Sequence, residues 1–267
     1  MNYIIFTDLD GTLLDHRSYS LEKAQEALKL VKENKIPVIP CSSKTQAEIE
    51  VYREKMGNTD PFIPENGGAI IIPKNYFRSL PGKENNHYIK IELGIPYHII
   101  IDILSNIKKS TRAIIKGFSD LTPEEISVIT GLDIVSSELA KERSYSEPII
   151  IEGDADAIHE VKEKVSSSGL GFLEGRRFHH IFSPTVDKGK AVRILINIYK
   201  DNVSNAIKTI GLGDSLIDLS MLEAVDIPVL VQKIPEQYDK RIQLPNLIYA
   251  DGVGPEGWNK AVLSLLR

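Results

Sequence analysis

Tyr3-Ile4-Ile5-Phe6-Thr7-Asp8-Leu9-Asp10-Gly11-Thr12-Leu13-Leu14 is the stretch on which the fold turns. Its first four residues are apolar and β-favouring, with no polar alternation. That predicts a strand buried on both faces, as in a parallel sheet. The run ends abruptly in two aspartates and a glycine. Ligands of an open parallel sheet bind beyond the carboxyl ends of its strands, so Asp8 and Asp10 are delivered to that edge. A second stretch repeats the arrangement. Ala206 to Leu212 reads as a strand, Gly213-Asp214-Ser215 ends it, and Asp218 follows one helical turn after Asp214. Each motif alone has a plainer reading. Asp8 to Gly11 suits a turn or a calcium-type loop, and Asp214 or Ser215 suits a helix N-cap. The pairing, each motif after a buried strand, points to chemistry.

Outward from the first strand, Ser20 is a plausible cap for a helix with Leu21, Ala24, Leu28 and Val31 on one side. Ile36 to Pro40 is a second apolar run, and Ala47 to Met56 reads as helical. Alternating strands and helices predict an α/β protein with a parallel sheet. From about Pro81 the pattern changes to Tyr88–Leu93 (strand), Tyr97–Ile107 (helix), Ala113–Ile115 (strand), Ile149–Ile151 (strand) and Ala155–Val165 (helix). Thr122-Pro123 marks a further helix start. Helix Lys188–Tyr199 and strand Ala206–Leu212 resume the first pattern, and Trp258–Leu266 closes it. The expected architecture is a Rossmann-like doubly wound parallel sheet core from residues 1–80 and 181–267. An α+β cap, residues 81–180, is inserted into it.

Composition limits the function. The chain has 267 residues, 42% hydrophobic and 26% charged, with 32 Lys and Arg against 37 Asp and Glu, a net charge of −5. This is a folded globular composition with no global electrostatic reason to bind nucleic acid or an anionic membrane. One cysteine, Cys41, excludes an intramolecular disulfide. Neither a signal peptide nor an apolar run long enough to span a bilayer is evident. The expectation is a soluble cytoplasmic protein, its oligomeric state open.

Clustered carboxylates repel one another unless a cation shares them. Hard oxygen ligands at a strand edge suit Mg²⁺, which also accepts phosphate oxygens. An aspartate is already ionised and needs no separate base to act as a nucleophile.

With these motifs in order, the sequence resembles the haloacid dehalogenase superfamily of phosphatases. Asp8 and Asp10 match its nucleophile and general acid/base. Ser42 matches its Ser or Thr after the second strand, and Lys188, in Asp187-Lys188-Gly189-Lys190-Ala191, its phosphate-binding lysine. Asp214 and Asp218 match its acidic metal motif, and the insertion lies where the superfamily places its larger, C2-type cap. Three further segments are similar to the mannosyl-3-phosphoglycerate phosphatase family: Pro61–Ile70, Arg143–Pro148 and Gly175–His180.

The resemblance implies Mg²⁺-dependent hydrolysis of 2-O-mannosyl-3-phosphoglycerate to mannosylglycerate through an aspartyl-phosphate. Glucosyl-3-phosphoglycerate, another sugar phosphate or phosphomannomutase-like transfer are the alternatives. It implies a metal held by Asp8, the Asp10 carbonyl and Asp214, with Asp218 direct or behind, and a phosphoryl group cradled by Ser42 and Lys188. A phosphorylated small molecule with a carboxylate and sugar hydroxyls needs cations and hydrogen-bonding groups around it. The candidates are Arg143 and Arg177 for the carboxylate, Glu147 for hydroxyls, and Lys44 and Asn66 from the core. The plainer reading pairs Arg143 with Glu147 as a surface ion pair. His179 and His180 are adjacent, so in a strand they face opposite sides and at most one of them lines the site.

Overall fold

The computed structural model describes residues 2–78, 80, 82–85, 87–175, 178–234 and 237–267. In chain order its first half comprises β1 (Asn2–Thr7), α1 (Gln25–Glu33), β2 (Val38–Pro40), α2 (Gln46–Met56), β3 (Ala69–Pro73), β4 (Lys83–Glu84), β5 (Tyr88–Glu92), α3 (Tyr97–Ser110), β6 (Ile114–Gly117), α4 (Pro123–Thr130) and α5 (Ile134–Lys141). The second half comprises β7 (Ser146–Glu152), α6 (Ala155–Ser167), β8 (Gly171–Leu173), β9 (His179–Phe182), α7 (Lys188–Asn202), β10 (Ile207–Gly213), α8 (Leu219–Leu222), β11 (Ile227–Gln232), β12 (Ile248–Val253) and α9 (Pro255–Leu266).

Among the described residues the core sheet has the order β12-β11-β10-β1-β2, all neighbours parallel. Successive side chains of β1 pack in opposite directions, which is why its sequence shows no polar alternation. Ile5 joins a cluster with Ala27 and Val31 of α1 and Trp258 and Val262 of α9. Ile4 and Phe6 join another with Ala191, Val192 and Leu195 of α7 and Met221 and Leu222 of α8. The core is thus doubly wound. Trp258 is fully buried, and its indole N–H donates to Thr7 Oγ1 at 3.0 Å. Burying a side chain of this size contributes roughly 3 kcal/mol or more.

Among the described residues two antiparallel sheets accompany the core, β3-β5-β4 and β6-β7-β9-β8. One face of the second is covered by α3 and α6, through Ile100, Leu104, Ile149, Ile151, Val161 and Ile181. The boundary expected at residues 80/81 falls inside a sheet, between β3 and β4, and that at 180/181 inside a strand. The first separates β3 from its partner strands, and the second divides β9. Pairing across the sequence break holds the first of these together.

Several expected elements differ in detail. The helix expected from Ser20 begins as a 3₁₀ turn, Glu22–Ala24, before α1. The segment after Ser215 is a 3₁₀ turn, Leu216–Asp218, then the single-turn α8, because the Asp218 carboxylate folds back on the preceding amides. Helix α5 and edge strand β12 carried no clear signal. The first is short, and the second contains Asp251-Gly252.

Candidate active site

Asp8 directly follows β1, and its N–H donates to Leu212 O of β10 at 2.9 Å. The chain then closes a tight loop in which Gly11 N–H reaches Leu14 O and Leu14 N–H reaches Leu9 O. Gly11 has φ +81°, and a Cβ there would lie 3.1 Å from Asp214 Oδ2. Glycine therefore lets the two aspartate loops touch. Helix α7 brings in Lys188 at its first residue, with Asp187 as N-cap accepting from Lys190 N–H at 2.7 Å. A Cβ on Gly189 would lie 2.0 Å from Ser220 O. Only glycine admits so close an approach of α7 to α8.

These loops meet at one point. Lys188 Nζ donates to Asp8 Oδ1 and to Asp218 Oδ1, both at 2.7 Å. The second Asp218 oxygen accepts from Asp214 N–H, Ser215 N–H and Ser215 Oγ. Asp218 is fully buried and Lys188 is 2% exposed. Burial opposes the Lys188 charge, yet Asp218 and Asp8 outweigh it and hold the ammonium above the ordinary lysine range. Burial pushes the Asp8 carboxyl up to about 7, with Lys188 resisting and Asp218 and Asp10 reinforcing. Asp214 is raised as well, by burial and then by Asp218 and Asp8.

Carboxylate oxygens of Asp8, Asp214 and Asp218 lie within 4.8 Å of one another. Burial does most to drive two of these three carboxylates toward their neutral forms, and repulsion among them, with one lysine to offset it, adds to the effect. A hard divalent cation matches this all-oxygen set.

A second charged group stands beside the first. Lys44 Nζ lies 3.1 Å from Asp10 Oδ2 and 3.3 Å from Glu48 Oε1, and Arg143 Nη2 is 3.9 Å from Glu48 Oε2. Lys44 also sits over the rings of Tyr19 and Tyr52. Burial disfavours the Lys44 charge, but Asp10 and Glu48 overcome it and raise the lysine. Burial likewise disfavours Glu48, where Lys44 and Arg143 prevail and lower it. Arg143 further donates from Nη1 to Ser43 O at 2.8 Å. It thereby ties the segment after α5 to the loop before α2.

Both groups open into a cavity of about 950 Å³. Asp8, Asp10, Lys44, Arg143, Lys188, Asp214 and Asp218 line it. Other expected residues stand apart. Ser42 is fully buried, its Oγ accepting from Lys44 N–H, and Ser43 rather than Ser42 reaches the cavity. Asn66 lies behind it, its N–H on Ser42 O and its side-chain amide without a partner among the described residues. Glu147 does not line the cavity. It accepts from Tyr97 Oη at 2.7 Å and from Ser119 N–H and Oγ at 2.9 and 2.6 Å. Strand alternation explains this: Glu147 pairs with Ile181 on the face under α3, while Pro148 faces the cavity. The Arg143–Glu147 ion pair is therefore not formed. Arg177 lies outside the described residues. Of the two histidines, His180 lines the cavity and His179 stacks on Phe172. Glu48 was missed, although Thr45-x-x-Glu48 is legible as a capping box.

Residues 5–241 match the family of haloacid dehalogenase-like hydrolases. A protein of Methanococcoides burtonii named glucosyl-3-phosphoglycerate/mannosyl-3-phosphoglycerate phosphatase is 49% identical, covering 100% of this chain and 98% of its own. One of the same name from Persephonella marina is 40% identical, covering 99% and 97%. A mannosyl-3-phosphoglycerate phosphatase of Pyrococcus horikoshii is 38% identical over 85% of this chain and 90% of its own. Among solved structures, a haloacid dehalogenase-like hydrolase from Bacteroides thetaiotaomicron superposes with a TM-score of 0.71, at 16% identity and complete coverage of both chains.

Proposed function

The chain belongs to the haloacid dehalogenase-like hydrolase family, and on that premise we propose that it is an Mg²⁺-dependent phosphatase of 2-O-mannosyl-3-phosphoglycerate, with glucosyl-3-phosphoglycerate as a second substrate. The observation that carries the chemistry is Lys188 bridging Asp8 and Asp218 at the floor of the cavity, with Asp10 two residues from Asp8. The names of the relatives support the substrate.

Asp8 attacks phosphorus, forming a bond from its carboxylate oxygen as the bond to the glycerate oxygen breaks. Asp10 gives a proton to that departing oxygen. It then takes one from the water that attacks the aspartyl-phosphate, releasing phosphate and restoring Asp8. Lys188 holds Asp8 in place and offsets charge on the phosphoryl oxygens. Asp8 and Asp214 would hold the cation, with Asp218 beside them fixing Lys188 and the Asp214 loop. A divalent cation there relieves the repulsion among the carboxylates and offsets phosphoryl charge. Lys44 from the core and Arg143 from the inserted cap face the cavity with two cationic groups for the substrate carboxylate. Ser42 and Asn66 shape the loop that carries Ser43 and Lys44.

Phosphate release with Mg²⁺ tests the reading, using mannosyl- and glucosyl-3-phosphoglycerate, mannose 6-phosphate and 3-phosphoglycerate. A large kcat/KM advantage for the two glycosyl esters is expected. Slow hydrolysis of all four alike would remove the named substrates, and a requirement for a sugar bisphosphate would indicate a mutase.

A further inference from the structure

We propose that His180 reads the sugar: it hydrogen-bonds a hydroxyl of the glycosyl ring, whose carbon–hydrogen face packs on an apolar wall of Phe118, Pro148, Leu173 and Phe178. This rests on the substrate reading above and names the residue that gives it sugar specificity.

The two walls of the cavity differ in chemistry. The core side carries the charged groups already described except Arg143, which comes from the cap. The opposite side is one face of the β6-β7-β9-β8 sheet. Pro148, His180 and Leu173 stand directly opposite one another on β7, β9 and β8, so they share that face. Their neighbours Ile149 and Ile181 point the other way, into the packing under α3 and α6. Phe118 follows β6, its N–H on Pro148 O at 3.1 Å, and meets Phe178 edge to face with centroids 5.1 Å apart. All five residues line the cavity. These apolar side chains themselves offer nothing to a phosphate or a carboxylate, the nearby cation being Arg143, 5.6 Å over the Phe118 ring. A pyranose presents an apolar C–H face, and a cavity of about 950 Å³ is large for a three-carbon ester alone.

His180 Nδ1 is buried with no hydrogen-bond partner among the described residues. The ring lines the cavity, and an unpartnered polar atom on it is one a ligand can satisfy. Burial first, then Arg143, His179 and Lys188, hold the imidazole down to about 3. It stays uncharged and does not compete with the cations for anionic groups. A neutral imidazole has one donor and one acceptor, which suits a hydroxyl. Mannose and glucose differ only at C2. If both esters are substrates, the hydroxyl that is read lies at C3, C4 or C6.

The test is steady-state kinetics on the full chain with Mg²⁺, comparing the glycosyl esters with 3-phosphoglycerate. For His180→Phe, the ratio of kcat/KM for either glycosyl ester to that for 3-phosphoglycerate is expected to fall at least tenfold, mainly through KM. His180→Gln should recover part of it. Leu173→Ser, which keeps the imidazole, should lower the same ratio by less. Removing the read hydroxyl from the ester should cost the wild type a similar factor and the His180→Phe variant almost nothing. An unchanged ratio in His180→Phe, or a proportional loss on all substrates, overturns the assignment. A wild type without preference for glycosyl esters over 3-phosphoglycerate overturns the functional reading and this inference together.

Discussion

Lys188 carries two carboxylates at once, and that arrangement sets the electrostatics of the cavity floor. Burial of Asp8 outweighs the pull of that lysine, and the result has a sign that can be measured. The Asp8 carboxyl is raised from an ordinary 3.8 to about 7, so the folded protein holds a proton that the unfolded chain releases. The contribution to stability is fully present below about pH 4 and is lost as pH rises through about 7. Asp8→Asn has no such group. In metal-free protein, the wild type should therefore lose Tm relative to Asp8→Asn as pH climbs from 4 to 8, and Mg²⁺ should narrow the gap. A constant difference across that range would show that Asp8 is not raised. The same variant should have no turnover while keeping its circular dichroism spectrum. At this scale, Asp8, Asp10, Lys188, Asp214 and Asp218 were legible because each follows a strand end or opens a helix. Glu147 is expected near the sugar hydroxyls and stands instead on Tyr97 and Ser119, because sequence alone does not say which face of β7 meets the cavity.

Helix ends show how local signals compete. Thr122 caps α4 with a capping box to Glu125 and Pro123 at the first helical position, as the sequence indicates. At α2 the chain offers Ser42, Ser43 and Thr45 in close succession. Thr45 is the cap, accepting from Glu48 N–H, and its Oγ1 also donates to Leu139 O at 2.9 Å. That second bond, across a sequence separation of 94 residues, cannot be read from local pattern. Thr122→Ala should cost about 1 kcal/mol, the usual value of a cap. Thr45→Ala should cost about 2 kcal/mol, since it loses the contact to Leu139 as well. Urea unfolding of the two variants compares them directly, and equal losses would leave the Leu139 contact without energetic weight. The apolar stripe of α7 shows the same limit. Ala191 and Leu195 are buried as expected, but Val192, Ile196 and Tyr199 complete the buried face, while Ile194 and Ile198 are only half-buried.

The whole molecule depends on how the inserted segment is joined to the core. Glu65, 2% exposed and with φ +49°, accepts from Ser144 N–H, Tyr145 N–H and Ser146 Oγ. One buried carboxylate thus holds the start of β7 against the core loop that also carries Asn66. Glu65→Ala leaves those donors unpaired and should destabilise by about 2–3 kcal/mol. It should also speed hydrogen exchange at the Ser144 and Tyr145 amides more than at β1. Uniform acceleration would mean that Glu65 supports the fold generally rather than this junction. No helix among the described residues is long and apolar enough to cross a membrane.

By itself the sequence determined the doubly wound core and the two strand-end aspartate motifs. Buried parallel strands and helix starts leave local, periodic marks that survive without knowledge of neighbours. Tertiary structure alone decided which residues meet. It paired Lys44 with Asp10, joined Glu48 to Arg143, turned Glu147 inward, and faced His180 to the cavity. Each of these depends on strand register or on contacts between residues far apart in the chain. The free energy of such contacts is settled by burial and by the charge of the partner, and neither is written in local pattern.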